Sequence, residues 1–294
     1  MQGEGRLQHG LSGTVSRFQV PDLGVGVGYR VPHYRQVLDE QPAMDWFEVL
    51  SENFMVDGGS PRWHLEQLAQ RYPTVPHGVS LSLGSEADPE HLRRLRALCD
   101  HLRPPWFSDH ACWTGTRRHA VHDLLPVPYT PAMRRHMVDR VREAQDKTGR
   151  LLAIENVSAY LAWADSTEPE WAFLGELAEA ADCALLLDVN NVFVSSVNLG
   201  FDPLAFLDGL PLDRVVQIHL AGHSVRPRYR LDTHDGPVCD EVWELYREAI
   251  RRIGPVSTLI EWDGDIPTFA RLQEEAARAR TERDAALETR HAAA

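Results

Sequence analysis

Positive charge is scarce in this chain, and lysine is almost missing. Lys147 is the sole lysine, and 30 Lys and Arg stand against 43 Asp and Glu, for a formal charge of −13. That balance argues against nucleic acid as a general partner and against an anionic membrane surface, because each needs a basic footprint to meet phosphate. Cysteine is sparse as well. Cys99, Cys112, Cys183 and Cys239 form no CxxC pair and no spaced framework, so they read as reduced thiols of a cytoplasmic protein. Only Cys112 stands beside a motif of interest. No apolar run approaches about 18 residues, so no transmembrane helix is expected. The first residues lack the apolar core of a signal peptide. There is no P-loop, no GxSxG elbow, no GxGxxG turn and no internal repeat. The run Gly24-Val25-Gly26-Val27-Gly28 matches a phosphate turn only loosely and reads as close backbone packing at a strand.

What the chain does have is a repeating order of element types. Short apolar runs alternate with longer helical stretches: Val25–Tyr29, Trp46–Leu50, Val75–His77, Trp106–His110, Leu151–Glu155, Ala184–Asp188, Val215–His219 and Thr258–Glu261. Runs such as LLAIEN and ALLLDVN lack in–out alternation, as expected of parallel strands covered on both faces. Between them lie helix signals. Asp88-Pro89 and Thr130-Pro131 start helices, Gly149 ends one, and Asp240 is placed to cap another that stops before Gly254. Eight such units predict an α/β fold, a (β/α)8 TIM barrel. The expectation is a single domain over 1–294, with 1–23 a leader segment and 281–294 a frayed C-terminal tail.

Almost every apolar run ends in a side chain that can bind metal or donate and accept hydrogen bonds. In a parallel barrel all strand C-termini share one face, so these residues are predicted to converge. The candidate metal ligands are His77, His110, Glu155, Asp188, Asn191, His219, Asp232, His234 and Glu261. The Asp232-Thr233-His234 spacing puts two donors on one side of an extended segment. Imidazoles and carboxylates without thiolates suit iron, manganese or zinc, not a structural zinc or iron–sulfur site. Nine candidates exceed the roughly four to six ligands that one ion takes, so two or three ions with bridging carboxylates are expected, with Glu155 as a bridge. Glu48, Asn53, Asn156, Asn190, His223 and Asp235 are assigned to orienting those ligands. Trp46, Trp106, Trp113 and Trp262 either wall a pocket or pack the barrel, and Arg117-Arg118-His119 reads as a solvated loop.

The motifs PHGVSLSLG, SDHACW, LLPVPYT, IENVS, LLLDVNNVFVSSVNLGFDP, IHLAGH, DTHD and LIEWD occur in this order from about Gly24 to Asp263. Together they resemble the multinuclear non-heme iron-dependent oxidative enzymes, formerly an uncharacterised domain family, which include the oxidase subunit of methanobactin biosynthesis. One departure is Asp109 before His110, where many relatives have Glu. The resemblance implies a xylose-isomerase-like barrel holding two or three irons of mixed Fe2+/Fe3+ valence in the nine positions above, with O2 as co-substrate. It implies oxidation of a residue, most often cysteine, in a ribosomally synthesised precursor peptide, and a small leader-recognising partner protein. Asp263, near Glu261, is the candidate catalytic group for proton handling. Two other readings stay open: a metal-dependent hydrolase or sugar isomerase on a similar barrel, and a non-catalytic metal-holding subunit of a complex.

Overall fold

The computed structural model describes residues 18–116 and 119–293. Eight parallel strands close into a barrel: β1 (Val25–Gly28), β2 (Phe47–Leu50), β3 (Thr74–His77), β4 (Phe107–His110), β7 (Leu152–Glu155), β8 (Ala184–Asp188), β9 (Val215–Leu220) and β12 (Ser257–Ile260). Two short antiparallel hairpins, β5–β6 (Cys112–Thr116 and His119–Pro126) and β10–β11 (Ser224–Val225 and Arg230–Leu231), extend from the loops after β4 and β9. The eight apolar runs are the eight barrel strands, and the xylose-isomerase-like (β/α)8 barrel is the fold. The segment between β4 and the helix Pro131–Thr148 forms the first of these hairpins, within which the solvated loop expected at Arg117-Arg118-His119 falls. Hairpin pairing supplies partners for its backbone amides and carbonyls, while Arg117 and Arg118 lie outside the described residues.

Strand alternation explains how apolar strands carry a polar site. Phe47, Val49, Phe107, Ile154, Leu185, Leu187 and Ile218 belong to the main core, which also takes in the apolar faces of the surrounding helices. Trp46, Val75, Trp106, Ala153, Ala184, Leu186, Val216 and Leu259 form a separate cluster that fills the barrel floor. His77, Glu155, Asp188 and Glu261 each stand two residues beyond one of these floor residues and so share its inward face. Trp46 and Trp106 therefore pack the barrel.

Both ends of the described residues are tied to the barrel. Residues 1–17 of the leader segment lie outside the described residues, but Phe18, Val20 and Leu23 pack against the floor cluster. The expected frayed tail is instead the end of a helix running Phe269–Ala293. Its Ala- and Arg-rich sequence favours helix, Ala286 is buried, and Arg283 and Arg290 reach Asp22 and the Arg252 carbonyl. Asp240 is the first residue of its helix, not its cap, and accepts from Arg278. No described helix is long and apolar enough to cross a membrane.

Candidate metal centre

The C-terminal ends of the barrel strands surround a cavity of about 440 Å3. His77, His110 and His234 line it together with Asn191, Asp232 and Glu261, and Arg30, Asn53, Tyr160 and Asp263 complete its walls.

Among the described residues the donors fall into four adjoining groups; one joins Glu48, His77 and His219, and the other three are as follows. In the first, Glu155 Oε2 lies 3.3 Å from His110 Nε2 and 3.6 Å from His77 Nε2. The second joins Glu155, Asp188, His219 and Glu261. Here His219 Nδ1 is 3.0 Å from Glu261 Oε2 and 3.5 Å from Glu155 Oε1. The third is centred on His234, whose Nε2 lies 2.7 Å from Asp232 Oδ1 and 3.9 Å from Asp188 Oδ2. Its Nδ1 lies 3.2 Å from Glu261 Oε2 and 3.3 Å from Asp263 Oδ2. Glu155 and Glu261 each belong to two groups, so the donor set is multinuclear in form.

Each imidazole also has a second partner that fixes its ring. His77 Nδ1 meets Ser108 Oγ at 2.9 Å, and His110 Nδ1 meets the Gly78 carbonyl at 3.1 Å. His219 Nε2 faces Glu48 Oε2 at 3.0 Å, and Asp263 Oδ2 backs His234 Nδ1. Such outer acceptors set the tautomer and leave the other nitrogen free to ligate.

The metal that the sequence resemblance implies can be tested against atoms that the protein leaves unsatisfied. Glu155 Oε2, Asp188 Oδ2, Asn191 Oδ1, His219 Nδ1 and His234 Nε2 are all buried without a hydrogen-bond partner. Native interiors rarely tolerate such atoms; four of them belong to the donor groups, and Asn191 lines the cavity beside them. The charge distribution agrees. Burial alone would lower the pKa of His219, but Glu48, Glu261 and Glu155 raise it well above the ordinary value; Asp232 and Glu261 do the same for His234. Burial, with the Glu155 and Asp232 charges added, lifts Asp188 well above the carboxylate range. Without cations the centre holds protons, and the same field favours metal ions that displace them. The residues fit a metal cluster.

The neighbouring residues hold this set in place. Asn156 pairs its side-chain amide with the backbone of Asp188 in both directions, at 2.9 Å each, joining the ends of β7 and β8. Asn191 donates its backbone N–H to Asp188 Oδ1 and its side-chain amide to the Asn156 carbonyl. His223 donates to Asn190 Oδ1 and Asn190 to Asp232 Oδ1, a chain that ends at His234. Asp235 accepts from Thr233 Oγ1 and so shapes the turn instead of meeting an imidazole. Asn53 lines the cavity wall from the short helix Ser51–Phe54.

His234 occupies the left-handed region, with φ 46°, uncommon for a residue with a Cβ. Its N–H donates to the Gly222 carbonyl, and its own carbonyl accepts from Asp263 and Gly264. Gly222 permits this, because a Cβ there would meet the Gly236 carbonyl oxygen at 2.2 Å. Asp109, the departure from the family pattern, is buried against Gly78 and accepts from the His110 and Leu81 amides. Burial and then Glu52 push its pKa up to about 7. Burial, followed by the Asp109 charge, keeps the Cys112 thiol protonated, so that cysteine is a packing residue.

Three residues around this centre carry no signal of their own in the sequence. Arg30, just past β1, sets its guanidinium on Asp263 Oδ1 and 3.7 Å from Glu261. Ser108 and Gln217 each lie two residues before a strand-end histidine, a same-face position that strand alternation can locate.

A (β/α)8 barrel with buried, shared His and carboxylate groups is the architecture of a metal-using enzyme. Solved structures with the same fold include a xylose isomerase-like TIM barrel protein from Mycobacterium smegmatis in complex with magnesium (TM-score 0.57, 14% identity, 90% of this chain and 97% of that one). The IOLI protein with a bound zinc atom aligns at TM-score 0.56 and 14% identity over 90% and 98% of the two chains. D-psicose 3-epimerase from Clostridium cellulolyticum H10 aligns at TM-score 0.53 and 13% identity over 91% and 98%. At such identities the likeness concerns the fold. Sequence relatives are nearer. A UPF0276 protein of Anaeromyxobacter sp. (strain Fw109-5) is 51% identical over 90% of this chain and 94% of its own length, and one from Acaryochloris marina is 48% identical over 88% and 94%. Residues 24–283 match the family described as "RiPP precursor modification enzyme MbnB/TglH/ChrH", and the chain belongs to that family.

Proposed function

We propose that this protein uses two or three iron ions and O2 to oxidise a residue, cysteine by preference, in a ribosomally synthesised precursor peptide. His77, His110, Glu155, Asp188, Asn191, His219, Asp232, His234 and Glu261 hold the ions. The observation that carries the reading is the sharing of Glu155 and Glu261 between adjacent donor groups, taken with the family's description as precursor-modifying enzymes. Bound iron supplies redox equivalents for O2 and a Lewis acid for a substrate thiol. The chain's own residues do the rest. Ser108, the Gly78 carbonyl, Glu48 and Asp263 orient the imidazoles. Asp263, the most exposed carboxylate of the centre, exchanges protons with the cavity. Arg30 holds it there. A small partner protein delivers the peptide by its leader.

The test is anaerobic iron loading, followed by exposure to O2 with co-expressed candidate precursor peptides and mass spectrometry. An O2-dependent mass change on a cysteine-bearing peptide supports the reading. Iron-replete protein that leaves every such peptide untouched counts against it.

A second reading also has support. The Glu155, Asp188, His219 and Glu261 group is by itself a four-donor site for one divalent ion, and several fold neighbours are named as sugar epimerases. On this reading the protein is a metal-dependent sugar isomerase or hydrolase. It works with manganese, cobalt or zinc and without O2. Turnover of a ketose by the manganese-loaded protein under anaerobic conditions decides for it.

A further inference from the structure

The barrel floor and the donor groups meet through a residue whose placement depends on a local irregularity of β9. Along the β8–β9 ladder Leu185 pairs with Val215, but Leu186 pairs with Gln217, so Val216 is an extra residue. A bulge of this kind re-aims the side chains that follow it. Val216 packs in the floor cluster, and Gln217 turns inward directly beneath His219. Gln217 is completely buried.

Its orientation is unambiguous. Trp106 Nε1–H, which can only donate, reaches Gln217 Oε1 at 2.7 Å. The amide nitrogen therefore faces the other way, donating to Glu48 Oε2 at 2.6 Å and lying 2.6 Å from His219 Nε2. That same carboxylate oxygen is 3.0 Å from His219 Nε2. Trp106, Gln217, Glu48 and His219 thus form one buried chain from the barrel floor to the donor groups. At its end His219 turns Nδ1, which has no aligned hydrogen-bond partner, toward Glu155 and Glu261. From this, and resting on the metal reading of that group, we infer that Gln217 is a positioning residue. Held by Trp106, it fixes the ring of His219 both directly at Nε2 and through the Glu48 carboxylate, and so sets the affinity of the central ion alone. The other imidazoles take their bearings elsewhere: His77 from Ser108, His110 from Gly78 and His234 from Asp263.

The consequence is selective. Loss of the amide frees Glu48 to turn and His219 to tilt. An outer partner of a metal-ligating histidine is worth roughly 10–100-fold in metal affinity. The experiment is titration of the metal-free full-length chain with Co2+, followed by the visible absorption of bound cobalt and by equilibrium dialysis. Wild type is expected to take more than one ion. In Q217L one of them binds roughly 10–100-fold more weakly with a shifted cobalt spectrum, while the others keep their dissociation constants. E48Q weakens the same ion. W106F, which removes the indole N–H together with part of the buried ring, does so to a smaller degree and covers the case in which Q217L fails to fold. Wild-type constants and spectra in Q217L and W106F overturn the inference. So does an equal weakening of every ion together with a lowered Tm, which assigns Gln217 to packing alone. A wild-type chain that takes up no Co2+ overturns the metal reading itself and the inference with it.

Discussion

Glu155 stands between His110 and His219, offering one carboxylate oxygen to each: Oε2 lies 3.3 Å from His110 Nε2 and Oε1 lies 3.5 Å from His219 Nδ1. A side chain so placed is the joint between two donor groups. Glu155→Gln keeps the size but leaves an amide nitrogen, which cannot ligate, at one of the two positions. Metal content by elemental analysis is expected to fall by at least one ion per chain, and turnover to fall by more than about 100-fold, beyond the loss typical of an outer partner. Wild-type metal content in this variant would remove Glu155 from the ligand set. If the protein instead served only to hold metal for a partner, Glu155→Gln would weaken assembly while leaving any chemistry of the complex intact.

The sequence made most of this centre legible for one physical reason. A parallel barrel gathers its strand C-termini on one face, so the final residues of ILE-, LLL- and IHL-type runs converge without any contact being known. His77, His110, Glu155, Asp188, His219 and Glu261 follow from that rule. What the rule misses comes from other sources. Arg30 follows Tyr29 at the end of a run whose apolar residues and glycines signal packing, and only the fold shows that β1 closes the barrel beside β12, where Asp263 emerges. The inward placing of Val216 beside Gln217 depends on a bulge that no periodicity reveals. The hairpin strands Cys112–Thr116 and His119–Pro126 pair only within one loop, a pairing that no strand-end rule locates. Beyond Thr281 the composition favours helix, but the contacts with Asp22 and Arg252 that hold the helix against the barrel are distant in sequence and do not show in it.

Gly222 tests the clamp on His234. A methyl group at this position has to displace the Gly236 backbone, because it would lie 2.2 Å from that residue's carbonyl oxygen. Overpacking of this sort costs about 1–3 kcal/mol. The bond that the Gly222 carbonyl accepts from His234 N–H is lost with it. Gly222→Ala is expected to lower Tm modestly and to cost the ion nearest His234, leaving the His77 and His110 group loaded. Calorimetry and metal titration on one preparation check both effects. Unchanged metal binding in a folded Gly222→Ala would show that the left-handed backbone at His234 does not depend on this close approach.

Glu170 predicts a pH effect remote from the donor groups. Burial raises its pKa from the ordinary 4.5 to about 8, opposed by the Val157 N–H that it accepts. The sign follows from proton binding. Below pH 4.5 the carboxyl is protonated in folded and unfolded chains alike, and the shift has no effect. Between about 4.5 and 8 the folded state retains a proton that the unfolded state has released, so stability falls as pH rises; above about 8 the loss is complete. Glu170→Gln removes this dependence and keeps an oxygen for Val157. Its Tm is expected to match wild type near pH 4 and to exceed it increasingly up to pH 8. Parallel thermal melts across that range decide the matter, and a constant difference at all pH values would contradict it.

Asp263 separates proton handling from ligation. Its side chain is 46% exposed, against 5% or less for Glu155, Asp188 and Glu261. It is thus the carboxylate of these four that reaches both the centre and solvent. Arg30 Nη2 holds its Oδ1 at 2.5 Å, and its Oδ2 faces His234 Nδ1. Asp263→Asn preserves the shape and an oxygen for Arg30 but cannot take up a proton. If Asp263 handles protons, turnover of the metal-saturated variant falls by roughly 100- to 10,000-fold, the range typical of a lost acid–base group, beyond the weaker hold on the ion at His234 that loss of its outer partner brings. If Asp263 is a ligand, metal content falls in step with activity. Arg30→Met supplies the control, since it leaves the carboxylate in place but removes its anchor. Under the proton-handling reading it retains metal and loses activity to a smaller degree than Asp263→Asn.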